Sequence, residues 1–266
     1  MVMLPEYEIY CLKYAERPGR RRDHFLGGDP HDRSMPMDYF IWLLRSGERL
    51  ILVDTGFDAR GAQYGRVLLR QPAAALALIG VEATQLKDII ITHLHNDHAG
   101  TFDDFPQACF HLQEMEMAYV TGRHMRHKLL RRPFDIEHVD GLVRLVYQNR
   151  VAFHSGDALV APGVSVHRLG GHTMGLQCVR VHTQRGWVVL ASDASHYYEH
   201  FEKSRCFPLV YHVGEMIEGF STIKQLAESI EHIIPGHDPQ VLSRYPAAST
   251  ALQGVVARLD LSPLGL

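Results

Sequence analysis

Residues 92–100 read Thr92-His93-Leu94-His95-Asn96-Asp97-His98-Ala99-Gly100 and overlap the end of the apolar run Asp88 to Thr92 (DIIIT). That run is short and β-branched, which reads as a buried strand, and the Asp and Gly after it argue for a loop. Four side chains able to bind a metal (His93, His95, Asp97 and His98) stand within six residues. A helix cannot aim alternate residues His93 and His95 and adjacent residues Asp97 and His98 at one spot. A tight loop at a strand end can, by setting them around two neighbouring points. Imidazole with carboxylate is a donor set for zinc, and also for iron, cobalt or manganese. Surface loops collect polar residues as well, but four of these types between an apolar strand and Ala99-Gly100 are poorly explained by solvation.

Three further polar residues occupy the same kind of place. His172 follows the apolar stretch Val164 to Leu169 through Gly170-Gly171, Asp193 follows Trp187 to Ser192 (WVVLAS), and His237 follows His232 to Pro235 (HIIP) and Gly236. Each ends an apolar run at a turn, where side chains converge on the rim of a sheet. Singly, such residues are more often caps or hydrogen-bonding groups. Jointly they complete a coordination set for two metal ions.

The rest of the chain frames these turns. Its 266 residues are 46% hydrophobic and 21% charged, enough apolar material for one large core, and no Ser- or Pro-rich linker separates two. A single domain over residues 1–266 is therefore expected. Strand patterns run from Tyr39 to Leu44 and from Leu50 to Val53, with Gly47 suited to a hairpin turn between them. Others cover Ala158 to Leu169 and Leu176 to His182. Helical spacing covers Tyr64 to Ile79, with Pro72 starting or kinking it and Gly80 stopping it. It recurs at Gln113 to Val120 and at Ser221 to His232, and residues 121–149 read as a helical insertion. Alternating strands and helices give an α/β chain with mixed sheets.

Several classes are excluded or disfavoured. The net charge of −3 offers no field for nucleic acid. The basic stretches Arg17 to Arg22 and Arg123 to Arg132 read as solvated surface, or as a patch steering an anionic ligand or meeting a partner chain. Cys11, Cys109, Cys178 and Cys206 form no CxxC pair, so neither a disulfide framework nor a cysteine metal site is indicated. Charge enters the first residues too early for a secretory signal, and no long apolar run follows. A cytoplasmic protein, with no membrane contact, is expected.

With these residues assembled, the chain resembles the metallo-β-lactamase superfamily. The HxHxDH signature of that family stands here as His93 to His98, and His172, Asp193 and His237 follow in the family's order, so that the likeness runs from about Tyr39 to Asp238. The resemblance implies an αββα sandwich of two mixed β-sheets flanked by helices, with two divalent metal ions, zinc first among them, at one edge. It assigns His93, His95 and His172 to one metal and Asp97, His98 and His237 to the other, with Asp193 between them and Asp54 supporting the ligand loop. The reaction implied is attack of a metal-bridging hydroxide on a polarised carbonyl, with Asp97 and Asp193 in the catalytic set.

Within the superfamily the chain is most similar to the N-acyl homoserine lactone lactonases, in length, ligand spacing and the sequence Asp193-Ala194-Ser195. The true β-lactamases lack the bridging Asp, and the glyoxalase II branch needs a C-terminal domain for which too few residues follow His237. The expected activity is opening of the lactone ring, which is quorum quenching, on a small-molecule substrate. Another lactone or an ester is the alternative, and a mono-iron persulfide dioxygenase a more distant one, disfavoured because all seven ligand positions are filled. One departure stands out: where that group often carries Tyr, three residues after the bridging Asp, this chain has His196, an imidazole able to donate to a carbonyl or a leaving alkoxide. Relatives are commonly homodimers, and apolar residues near Tyr39 and in 121–149 are the expected contact.

Overall fold

The computed structural model describes residues 3–62 and 65–265. Its first seven strands are β1 (Glu8–Arg17), β2 (Met37–Ser46), β3 (Arg49–Val53), β4 (Val67–Leu68), β5 (Asp88–Ile90), β6 (Cys109–Gln113) and β7 (Val151–His154). Then come β8 (Ala158–Ala161), β9 (Val164–Arg168), β10 (Gln177–Thr183), β11 (Gly186–Ser192), β12 (Ile233–Pro235) and β13 (Val256–Arg258). They form an 8-stranded sheet in the order β13-β1-β2-β3-β5-β6-β7, with β4 on β1, and a 5-stranded sheet in the order β12-β11-β10-β9-β8. Both sheets are mixed: β3, β5, β6 and β7 run parallel, as do β11 and β12, while the hairpins are antiparallel.

The period of two along each strand explains the layering. In β1 and β2, Ile9, Cys11, Phe40, Trp42 and Leu44 face the second sheet and pack there with Val179, Val181 and Leu190. The alternate residues Leu12, Tyr14, Ile41 and Leu43 face the other way. They meet the apolar sides of α1 (Pro72–Ala77), α2 (Glu114–Val120) and, beyond the single turn α3 (Lys128–Arg131), of α4 (Ile136–Tyr147). On the far side of the second sheet lie α5 (Tyr198–Glu202), α6 (Val213–Leu226) and α7 (Gln240–Arg244). The layer order is thus αββα, as the resemblance implied. Among the described residues no helix is long and apolar enough to cross a membrane.

Some elements differ from the expectation. The helix expected over Tyr64 to Ile79 begins only at Pro72, whose fixed φ suits the first helical position. The preceding Val67–Leu68 pairs with β1 instead, and Tyr64 lies outside the described residues. Ala158 to Leu169 is two strands, because Gly163 at φ 83° makes a hairpin turn between β8 and β9. The helix expected over Ser221 to His232 starts earlier and ends at Leu226: Met216, Gly219, Phe220 and Ile223 are its buried stripe, and the His212 side chain accepts the Glu215 N–H at its start. The apolar run at Tyr39 to Leu44 is buried on both faces of a central strand, so it cannot serve the expected contact between subunits.

Candidate metal centre

Four strands deliver the polar turns to one rim. The loop after β5 carries His93 to His98, and the turns after β9, β11 and β12 carry His172, Asp193 and His237. Two of these turns rest on glycine. A Cβ at Gly236 would lie 2.8 Å from Asp193 Oδ1, and one at Gly171 (φ 83°) only 2.5 Å from the Met216 backbone N. Asp54 and Ser192, which follow or end β3 and β11, both adopt positive φ (62° and 47°), so strain is held where the two strands turn into the site.

The seven side chains come together, all buried. The ligating atoms of His93, His95, His172 and Asp193 lie within 4.8 Å of one another, as do those of Asp97, His98 and His237. Asp193 faces both groups. Its Oδ2 is 3.1 Å from His172 Nε2 and 3.8 Å from His93 Nε2; its Oδ1 is 3.0 Å from His237 Nε2 and 3.3 Å from His98 Nε2. The outer nitrogens of the rings are anchored. His98 Nδ1 donates to Asp54 Oδ2 at 2.7 Å, His172 Nδ1 to the Leu209 carbonyl at 2.7 Å and His237 Nδ1 to the Asp38 carbonyl at 2.8 Å. With each Nδ1 donating outward, Nε2 faces the centre, the ring orientation a bound cation requires. His93 Nε2, His98 Nε2 and Asp193 Oδ1 are buried and carry no hydrogen bond. Orphaned acceptors facing a common centre fit a cation there.

Burial would lower the His98 pKa, but Asp193, Asp54 and Asp97 override it and hold it well above the ordinary imidazole value. Burial, with His98 and His95 beside it, holds the His93 pKa well below the ordinary imidazole value, and burial with His172 does the same for His95. Burial alone would push the Asp97 carboxyl up, but Arg66, His98 and His237 override it and hold it well below the usual range. Asp193 is likewise ionised despite burial, chiefly by His237, His196 and His98.

Supporting residues complete the arrangement, of which the sequence reading held Asp54 alone. Asp54 accepts the Thr92 N–H and Oγ1–H, both at 2.8 Å, besides the ring of His98. Arg66 meets Asp97 Oδ2 at 3.1 Å, donates to Asn96 Oδ1 at 2.7 Å, and lies over the Tyr39 and Phe57 rings. Glu116, fully buried on α2, accepts the Leu94 N–H at 2.9 Å, the Thr173 hydroxyl at 2.6 Å and the Gly175 N–H at 3.0 Å. It therefore ties the loop after β5 to the turn after β9. No spacing in the sequence marks it, because its partners are some 20 to 60 residues away. Glu116→Leu leaves these buried donors without an acceptor, and about 3 kcal/mol or more of stability should be lost in urea unfolding; an unchanged midpoint would mean that the two loops stand without it.

His196 is held by stacking on Phe207, with centroids 3.7 Å apart at 22°, and its Nε2 lies 2.9 Å from Asp193 Oδ2. Tyr197 and Tyr198 are turned elsewhere: the Tyr197 hydroxyl donates to the Pro36 carbonyl, and Tyr198 is buried in the core. A cavity of about 340 Å³ opens over the centre. Its walls come from Asp23, His24, Leu129 and Arg132 and from Phe207 to Tyr211. The segment bearing His24 is pinned by ions: Arg21 pairs with Glu199 at 2.6 Å and with Asp29 at 3.0 Å, and Arg205 with Asp29 at 2.8 Å.

Comparison with known proteins adds to this geometry. The family model described as Metallo-beta-lactamase superfamily matches residues 36–251. The chain is 31% identical over 224 residues to an N-acyl homoserine lactonase of a Bacillus species, across 76% of this chain and 82% of that protein. In three dimensions it is similar to a quorum-quenching N-acyl homoserine lactone lactonase, with a TM-score of 0.74 at 24% identity over 90% of this chain and 94% of that one. It is also similar to AidC, a dizinc quorum-quenching lactonase, with a TM-score of 0.67 at 18% identity over 89% of each. At those identities the two structures speak to the fold.

Proposed function

The chain belongs to the metallo-β-lactamase superfamily, and from that premise we propose that it is a dinuclear metal-dependent hydrolase opening the lactone ring of N-acyl homoserine lactones. The observation that carries the proposal is Asp193, whose two oxygens face two separate groups of imidazoles. His93, His95 and His172 would hold one cation and Asp97, His98 and His237 the other, with Asp193 common to both. The donor set suits zinc, and also iron, cobalt or manganese. Cations so held would supply hydroxide near neutral pH, by lowering the pKa of water from about 16 towards 7, and would polarise a carbonyl.

The chain's own residues do the rest. The imidazoles and two ionised carboxylates are fixed at the floor of the cavity, so little reorganises as the oxyanion develops. Asp97, kept ionised by Arg66, is placed to take the proton released on attack and return it to the leaving alkoxide. His196, held flat against Phe207, presents Nε2 beside Asp193, where a substrate oxygen would lie. His196→Phe keeps an aromatic ring on Phe207 and removes the donor, and turnover should fall by roughly one to three powers of ten. An unchanged rate would make His196 only part of the rim. That His196 stands at the position of the usual Tyr favours, as a second reading, another lactone or an ester on the same site.

The proposal is tested by pH-stat assay of N-hexanoyl homoserine lactone with purified protein, with metal determined on the same sample. Chelator-sensitive ring opening is expected. A metal-loaded protein that leaves this lactone intact but cleaves an ester or a different lactone would move the assignment to the second reading.

A further inference from the structure

Arg17 is an exception among the buried and half-buried arginines near the site. Arg21 pairs with Glu199 and Asp29, Arg66 with Asp97 and Arg205 with Asp29. Arg17 ends β1 opposite Met37, and among the described residues no carboxylate pairs with it. Its Nη2 rests on the Met37 thioether at 2.9 Å, a weak acceptor, and its Nε is buried without a hydrogen bond. Yet Arg17 lines the same cavity as His196, His237 and Asp193. A guanidinium left short of acceptors at the wall of a substrate cavity is satisfied when the substrate brings an oxygen to it. Leu129, Leu130 and Phe207 to Val210 add apolar wall to the same cavity. The cavity therefore offers both a donor for an oxygen and apolar surface for a hydrocarbon.

We propose that Arg17 is a specificity-determining residue that donates to the amide carbonyl oxygen on the acyl arm of the substrate, next to the lactone ring held over the metal centre. This rests on the lactonase reading and adds which feature of the lactone is recognised. A lactone whose arm lacks that oxygen binds the same floor and the same apolar wall but leaves Arg17 unsatisfied, and so is the poorer substrate.

The test is a cycle of two substrates against two proteins, with metal-loaded enzyme throughout. The substrates are N-hexanoyl homoserine lactone and α-heptyl-γ-butyrolactone, in which two methylenes replace the amide N–H and carbonyl. The proteins are the wild type and Arg17→Met, which keeps length and apolar packing. Wild type should prefer the amide, and Arg17→Met should lose roughly 10- to 100-fold in kcat/KM on the amide with little change on the alkyl lactone. The alkyl lactone rate also reports that the variant is folded and loaded. Equal losses on both substrates, or none on either, would overturn the assignment. If wild type opens neither lactone, the proposed function falls; calorimetric binding of the amide lactone then still decides Arg17, since equal affinity in both proteins, or no binding, contradicts it.

Discussion

Asp193→Ala should lose metal and hydrolysis together, with activity down by roughly a thousandfold or more. Among the described residues, Asp193 is the one side chain whose oxygens face both groups of imidazoles: Oδ2 towards His172 and His93, Oδ1 towards His237 and His98. Without it Asp97 alone supplies anionic charge to a site meant for two dications, and their mutual repulsion is no longer offset by a shared carboxylate. Both cations are expected to weaken, rather than one. Metal analysis after gel filtration reads the first effect, and lactone hydrolysis the second. Full activity in the variant, or retention of two ions per chain, would sink the two-metal mechanism.

Removing metal from the unaltered protein should have an effect as large. The centre packs buried imidazoles against one another, with His95 Nδ1 only 2.9 Å from His172 Nε2 and orphaned atoms at His93, His98 and Asp193. A ligand that binds only the folded state at a thousand times its Kd adds about 4 kcal/mol of stability. For a chain of this size that is roughly 8 to 16 °C in Tm, at about 2–4 °C per kcal/mol. Chelator-treated protein should therefore melt lower by that interval and show no hydrolysis, and both should return on adding zinc, cobalt or manganese. A metal-free protein with an unchanged Tm would mean that the cluster is stable by hydrogen bonding alone.

How much of this was legible in the chain follows from the range of the interactions. His93 to His98 could be read because the ligand types lie within one loop, and His172, Asp193 and His237 because each follows an apolar run. A strand ending in a polar turn is a local pattern. Glu116 and Arg66 carry no such mark, and Arg17 showed only as the start of a basic stretch. Each acts on a loop or wall far away in sequence, and a lone Glu or Arg within a mixed stretch reads as surface. The αββα layering was reached through the resemblance, while α6 was misplaced because Gly219 interrupts its apolar stripe and Ala227 to Ser229 has helical composition but turns out of the helix. Apolar residues near Tyr39 were expected at a subunit contact; Tyr39 to Leu44 are instead buried, with the Tyr39 ring 5.0 Å from that of His237.

The central claim, that two cations act as one centre, is tested most directly by titrating metal into chelator-treated protein while following lactone hydrolysis. Activity should rise to a plateau at about two equivalents per chain, with little at the first. A plateau at one equivalent, or hydrolysis before any metal is added, would contradict it.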